Sequence, residues 1–356
     1  MLPLLLLALF LAPAGMLRAQ TRNLDIYWID VEGGAATLVV SPSGESMLID
    51  TGYKVDDRDA KRIYAATQQA GLKKIDYLVI SHFHGDHVGG LAALSKMIPI
   101  GRLFDHNDVT EKENQEWIDS YRAASAGKRT TVKPGDMLPL KGLQALVVSS
   151  GEGVLEKVVN GGGPNPLCAD AEQKAPAAPE NQRMVGVLLS YGKFKFLNLI
   201  DLDWEREMEL SCPINKLGTV TLYQTSRHGS FDGAGAPAFL GAIKPQVVVV
   251  NNEPRKGLGA VDERARALTL PGRQTAPYEK NAYRRLATIP GIEGIWQGHL
   301  SLLDSDPAHN SSPDMIANLE EGTRDQGYWI QASVGRDGMF TITNTRNGFS
   351  KTYTAR

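Results

Sequence analysis

Cysteine is nearly absent from this chain, with two in 356 residues, Cys168 and Cys212. That excludes a small disulfide-stapled scaffold, and neither cysteine sits in a metal-binding CxxC. Net charge is also nearly absent, at -2. No global field recruits a polyanion, so the total gives no support to a dedicated nucleic-acid binder, although a local basic patch stays open. After the first twenty residues no stretch approaches the about 18 apolar residues of a spanning helix. Missing too are a phosphate-cradling P-loop, a dinucleotide fingerprint and a serine nucleophile elbow. What is present is an ordinary globular composition, 42% hydrophobic and 22% charged, with no sign of disorder.

The amino terminus stands apart. Leu2 to Leu17 is apolar apart from Pro3 and Pro13, and Leu17-Arg18-Ala19 offers a small residue for cleavage. Residues 1–19 read as a secretory signal peptide, with an uncleaved anchor as the alternative. The expected location is therefore periplasmic or secreted, with no stable membrane insertion once the leader is removed. Export would allow Cys168 and Cys212 to pair, and two free buried thiols are the equal alternative. The remainder, 22–356, is expected to be one domain, with a core at about 24–252 and a C-terminal extension at about 253–356.

Short strand patterns at Leu24–Val31, Ala36–Val40 and Ser46–Ile49 predict an antiparallel start. A helix follows, for which Asp56 or Asp57 is the expected cap, and then the buried strand Ile75–Ile80. Further strands are predicted at Ile100–Phe104 and Leu143–Val148, with a helix over Glu111–Ala124 between them. The Gly/Pro-rich stretch 151–182 is long for a loop, and is expected to overhang a site. The second half repeats the plan: Met184–Tyr191 and Phe194–Ile200, a helix after Asp203, Thr219–Thr225, the helix Ala236–Ile243 and Gln246–Val250. The tail, from Tyr328 to Tyr353, reads as a closing β-meander with a turn at Asn347-Gly348. Two facing sheets with helices outside, an α/β four-layer αβ/βα sandwich, is the architecture implied.

Three of the seven histidines fall in Ser81-His82-Phe83-His84-Gly85-Asp86-His87, between the Ile75 strand and a helical pattern opening at Val88. His82 and His84 leave an extended segment two apart, so both can face one side. Asp86 and His87 start the helix and address a second position. Neutral imidazoles with a carboxylate suit zinc, or iron or manganese where oxygen ligands dominate.

This stretch resembles the HxHxDH signature of the metallo-β-lactamase fold, and Ile49-Asp50-Thr51-Gly52 resembles the acid-bearing strand that precedes it there. Ser226-Arg227-His228-Gly229-Ser230 and Ile29-Asp30-Val31 are similar to the nuclease-like domain of the competence protein ComEC. The resemblance implies two divalent metal ions, zinc first and manganese as the alternative. His82 and His84 would hold metal one, Asp86, His87 and His228 metal two, with Asp201 bridging. Asp86 would also orient the attacking hydroxide. Asp50 would hold the loop by hydrogen bonds, with helix capping as the alternative.

Two departures stand out. Where the family's third histidine for metal one is expected, this chain has Ser149-Ser150, and His106 is the spare candidate. Arg227 stands where ComEC-like proteins commonly carry another histidine. Asn252, Arg255 and Lys256 could receive an anionic group, but a solvated loop is the plainer reading. His299 and His309 read as structural.

The function implied is an exported metal-dependent hydrolase using metal-activated hydroxide. The expected substrate is a phosphodiester or similar anionic compound, nucleic acid or nucleotides included, although the net charge gives nucleic acid no support. A lactone or β-lactam is the alternative, and a non-catalytic metal-binding module the third reading.

Overall fold

The computed structural model describes residues 22–356 except 108–113, 126, 152, 176–178, 260–280, 304–305 and 323–326. The leader expected at 1–19 lies outside these residues, as does the start of the helix expected from Glu111. No described helix is long and apolar enough to cross a membrane.

Alternation of side chains sets the first layer. In β1 (Leu24–Trp28), Leu24, Ile26 and Trp28 face the interior between two sheets while Tyr27 faces the helices. β2 (Thr37–Val40), β3 (Ser46–Ile49), β4 (Ile75–Val79), β5 (Ile100–Asp105) and β6 (Arg129–Thr131) extend the same sheet. Its outer face is covered by α1 (Arg58–Gln69), α3 (Leu91–Met97) and α4 (Gln115–Ser125), through Ile63, Leu94 and Ile118. The short α2 (Gly85–Val88) lies in the metal-type loop. The cap expected of Asp56 or Asp57 is not made. Asp57 occupies the cap position of α1 in a left-handed conformation (φ 57°) with no side-chain bond, and Asp59 instead accepts the Tyr53 N–H at 2.7 Å.

The second sheet is built from β7 (Gln144–Ser150), β8 (Gly153–Val154), β10 (Gly186–Tyr191), β11 (Phe194–Asn198), β13 (Leu222–Gln224) and β14 (Val247–Val250). A separate two-stranded piece pairs β9 (Gly163–Pro164) with β12 (Ile214–Asn215). β15 (Gly294–His299) and β16 (Ile316–Asn318) add parallel strands to the second sheet's edge. β17 (Ile330–Val334), β18 (Met339–Asn344) and β19 (Ser350–Thr354) form the expected meander, and β17 pairs with β1. The sheets interlock through contacts such as Trp28 on Phe196, edge to face with centroids 5.4 Å apart. α5 (Pro179–Arg183) leads into β10, and α6 (Trp204–Ser211) and α7 (Pro237–Ile243) pack with this core. The expected four-layer αβ/βα sandwich is the fold.

Topology then decides where chemistry can sit. The pairs β3–β4 and β4–β5, and β11–β13, β13–β14 and β14–β15, are all parallel. Their C-terminal ends therefore share one edge, which is where open α/β sheets present their functional loops.

Candidate metal centre

Four strand ends supply the site, and three of them turn through strained backbone. Asp50 after β3 (φ 62°), Ile200 after β11 (φ 46°) and the consecutive Arg227 and His228 after β13 (φ 46° and 56°) are all left-handed without being glycine. A β-branched residue there is a steric outlier, and such strain persists only where the surroundings over-determine it. Two of these turns hold each other, since the Arg227 N–H donates to the Ile200 carbonyl at 2.7 Å. Gly257, in the loop after β14, closes on them, and a Cβ there would lie 2.2 Å from the His228 carbonyl oxygen.

These turns bring Asp86, His87, Asp201 and His228 together, with one ligand-type atom from each lying within 4.8 Å of the others. Asp86 Oδ2 is 3.4 Å from His87 Nε2 and 3.7 Å from His228 Nε2, while Asp201 Oδ1 is 3.2 Å from His228 Nε2. His87 Nε2, His228 Nε2 and Asp201 Oδ1 are buried yet make no hydrogen bond. Buried polar atoms normally find partners. Lone-pair atoms that converge without bonding one another are what a cation would satisfy, so the residues fit a divalent metal ion. His82 Nε2 and His84 Nδ1 converge nearby, 2.9 Å apart.

Proton positions around the pair of buried histidines are set by Asp50, which is wholly buried. Its Oδ1 accepts the Ser81 N–H at 2.7 Å, and its Oδ2 accepts the Ser81 hydroxyl at 2.6 Å and His87 Nδ1–H at 2.8 Å. With its hydrogen committed to Asp50, the Ser81 hydroxyl accepts from His82 Nδ1 at 3.0 Å. Both imidazoles thereby turn Nε2 inward, with a lone pair on His82 and, once a cation displaces the ring proton, on His87 as well. Asp50, His82 and His87 also lie close enough to be considered one ligand group. The three bonds on Asp50 argue for an orienting role instead.

Electrostatics follow the same geometry. Burial alone would lower His87, but Asp86, Asp201 and Asp50 outweigh it and hold it well above the usual imidazole range. His82 is held well below that range by burial and by His87 and His84. Burial raises Asp86 and Asp201, yet neighbouring histidines, with Lys256 at Asp86, overcome it and keep both carboxyls well below the ordinary value.

The structure decides several residues that the sequence left open. His106 is not placed as a ligand: its Nε2 pairs with Glu180 at 3.1 Å, and its ring packs edge-on against Phe83. Glu180 also accepts the Phe83 N–H at 2.6 Å, so His106 braces the loop from behind. Ser149 and Ser150 donate to the Met184 and Val132 carbonyls, and so give metal one no third ligand. The stretch 151–182 divides. Gly163–Pro164 pairs with β12 rather than covering the site, while Asn181 donates to the Asp201 carbonyl at 3.1 Å. Lys256 is not in a solvated loop but donates to Asp86 Oδ2 at 2.7 Å. Arg255 pairs on the surface with Glu321, and Asn252 is buried on the His299 carbonyl. Asp203 caps α6 through the Arg206 N–H. Cys168 and Cys212 form a disulfide. Position after the parallel strand β14 was the signal by which Lys256 could have been weighted more heavily.

Fold and site together define an αβ/βα domain with a centre fitted to a divalent metal ion. Residues 29–170 match the family profile described as the Metallo-beta-lactamase superfamily. Over 129 residues it is 30% identical to the coenzyme F420H(2) oxidase of Methanothermobacter marburgensis, covering 36% of this chain and 31% of that protein. Over 242 residues it is 23% identical to ComE operon protein 3 of Bacillus subtilis, covering 64% of this chain and 28% of the relative. The chain thus spans less than a third of the length of either relative. Among solved structures, it is similar to the metallo-beta-lactamase fold protein YhfI of Bacillus subtilis. That match has a TM-score of 0.44 and 12% identity, covering 77% of this chain and 95% of that one.

Proposed function

We propose that the protein is an exported hydrolase that cleaves a phosphodiester or similar anionic substrate with metal-activated water. The observation that carries the hydrolytic part is the convergence of Asp86, His87, Asp201 and His228 on one position, with buried lone pairs left unbonded. When bound there and beside His82 and His84, divalent metal ions lower the pKa of a coordinated water toward neutrality and polarise the scissile oxygen.

The chain's own residues do the rest. Asp50 and Ser81 fix the tautomers of His87 and His82. Asp86 orients the attacking water by accepting a hydrogen bond from it. Gly34 lets the loop after β1 approach the site, since a Cβ there would lie 2.3 Å from the Asp86 carbonyl oxygen. The anionic substrate class rests on the resemblance of Ser226-Arg227-His228-Gly229-Ser230 to the nuclease-like domain of ComEC. Export is supported by the leader-like residues 1–19 and by the Cys168–Cys212 disulfide, since disulfides persist in oxidising compartments.

Protein lacking the leader, loaded with zinc or manganese, is to be assayed on bis-p-nitrophenyl phosphate, a β-lactam and a lactone. Phosphodiester turnover that is abolished in Asp86→Asn is the expected result. Turnover of the β-lactam or lactone alone would refute the substrate class. Full activity in Asp86→Asn would refute the mechanism, and metal binding without turnover would leave a binding module. Fractionation of a bacterial host with N-terminal sequencing tests export, which full-length protein retained in the cytoplasm would overturn.

A further inference from the structure

Lys256 carries three ammonium hydrogens, and three acceptors meet it. Nζ lies 2.6 Å from the Gly33 carbonyl, 2.7 Å from Asp86 Oδ2 and 3.2 Å from the Tyr53 hydroxyl. Its side chain is 36% exposed, yet no hydrogen is left over for a substrate. An ammonium committed in this way is a fixed cation in the protein and not an anion receptor.

Each acceptor is itself held. Asp30 receives Arg62 at 2.9 Å, His299 Nε2 at 2.8 Å and the Glu32 N–H at 2.9 Å, which shapes the turn carrying Gly33. Arg58 bridges Glu32 and Asp59, and Asp59 takes the Tyr53 N–H. His299, which the sequence left without a role, therefore anchors the far end of a charged network spanning both sheets. On the other side, the turn bearing Lys256 is closed by an antiparallel bridge between Glu253 and Lys256 and pressed onto His228 through Gly257.

We propose that Lys256 is a positioning residue: it fixes the orientation of the Asp86 carboxylate toward His87 and His228, and its charge offsets one of the two site aspartates. This inference rests on the metal-dependent reading of the site. It adds a lysine from the second sheet as the outer partner of a ligand that the first sheet supplies. Removing an outer partner of this kind typically weakens metal affinity about 10- to 100-fold.

The test compares wild type, Lys256→Met and Lys256→Arg. Zinc affinity is measured by competition with a chromophoric chelator, alongside the visible spectrum of the cobalt-loaded proteins and kcat and KM on the best substrate. Circular dichroism controls for folding. The expected result for Lys256→Met is weaker zinc binding by about 10- to 100-fold, an altered cobalt spectrum, and a loss in kcat with KM little changed. Lys256→Arg should recover part of each, because it keeps the charge but not the three-point geometry. Wild-type zinc affinity and cobalt spectrum in Lys256→Met would overturn the proposal, as would a loss confined to KM, the mark of a substrate receptor. If Lys256→Met fails to fold, Lys256→Arg decides: wild-type affinity and spectrum overturn the proposal, intermediate values support it. A wild type that binds zinc but hydrolyses nothing sinks the hydrolase reading, while the affinity comparison still decides the role of Lys256.

Discussion

Replacing Asp50 by asparagine tests the claim that one buried carboxylate sets the proton positions of the whole site. The carboxylate accepts three bonds, one at Oδ1 from Ser81 N–H and two at Oδ2 from the Ser81 hydroxyl and His87 Nδ1. An amide of the same shape has only one acceptor oxygen. If its NH2 takes the Oδ2 position, it faces His87 Nδ1, and the ring must move its proton to Nε2. The lone pair offered to the metal is then lost. If the NH2 takes the Oδ1 position, two donors abut at Ser81, at a cost of about 1–3 kcal/mol for a buried unsatisfied group. The first arrangement avoids that cost, so the expected outcome is weaker zinc binding by about 10- to 100-fold, or about 1.4–2.8 kcal/mol. Chelator competition on the purified variant reads this directly, and thermal unfolding of the metal-free protein reads the second arrangement. Zinc affinity within twofold of wild type together with unchanged apo stability would refute the assignment of tautomers.

Three further predictions rest on separate features. Burial raises the Glu207 carboxyl from 4.5 to about 7. A raised folded pKa gives stability that is full below the unfolded value and lost as pH climbs toward about 7, worth about 3 kcal/mol. The variant Glu207→Gln should therefore lose less stability than wild type between pH 5 and pH 8 in denaturant unfolding, and an equal loss in that variant would count against it. His106→Ala should leave zinc stoichiometry unaltered while lowering stability by about 1–3 kcal/mol through loss of the Glu180 pair; a lost zinc equivalent would restore His106 as a ligand. Serine at both Cys168 and Cys212 removes a cross-link over a sequence separation of 44, with a chain-entropy cost of up to about 4 kcal/mol. Chemical denaturation should register that cost without any change in zinc affinity, and equal stability would show that the bridge does not constrain the unfolded chain.

Much of the fold was legible because strand patterns are local: Ile26, Leu38 and Leu48 announce their strands with their own apolar neighbours. β15 and β16 were not anticipated as strands. Trp296, Gln297 and His299 are buried there, and a short buried run with polar members carries no clear alternation. At the site, His82, His84, Asp86 and His87 share one loop, so their grouping follows from a few bonds of backbone. Asp201 and His228 could be nominated only as acid and imidazole at the ends of predicted strands. His106 has the same credentials and faces Glu180 instead.

The sequence by itself determined the kind of chemistry. Imidazoles and a carboxylate packed into six positions after a buried strand have few other uses, and that information is carried by covalent spacing. Only the tertiary structure decided who serves whom. Asp50 and His87 are 37 residues apart and Lys256 and Asp86 are 170 apart. Whether such groups meet depends on parallel strand order, on left-handed turns at Ile200 and His228, and on glycines where backbone must pass close. No local pattern encodes these. A hydrogen bond of 2.7 Å between Lys256 and Asp86 exists because two sheets stack, and it turns a lysine that reads as solvated loop into part of the site.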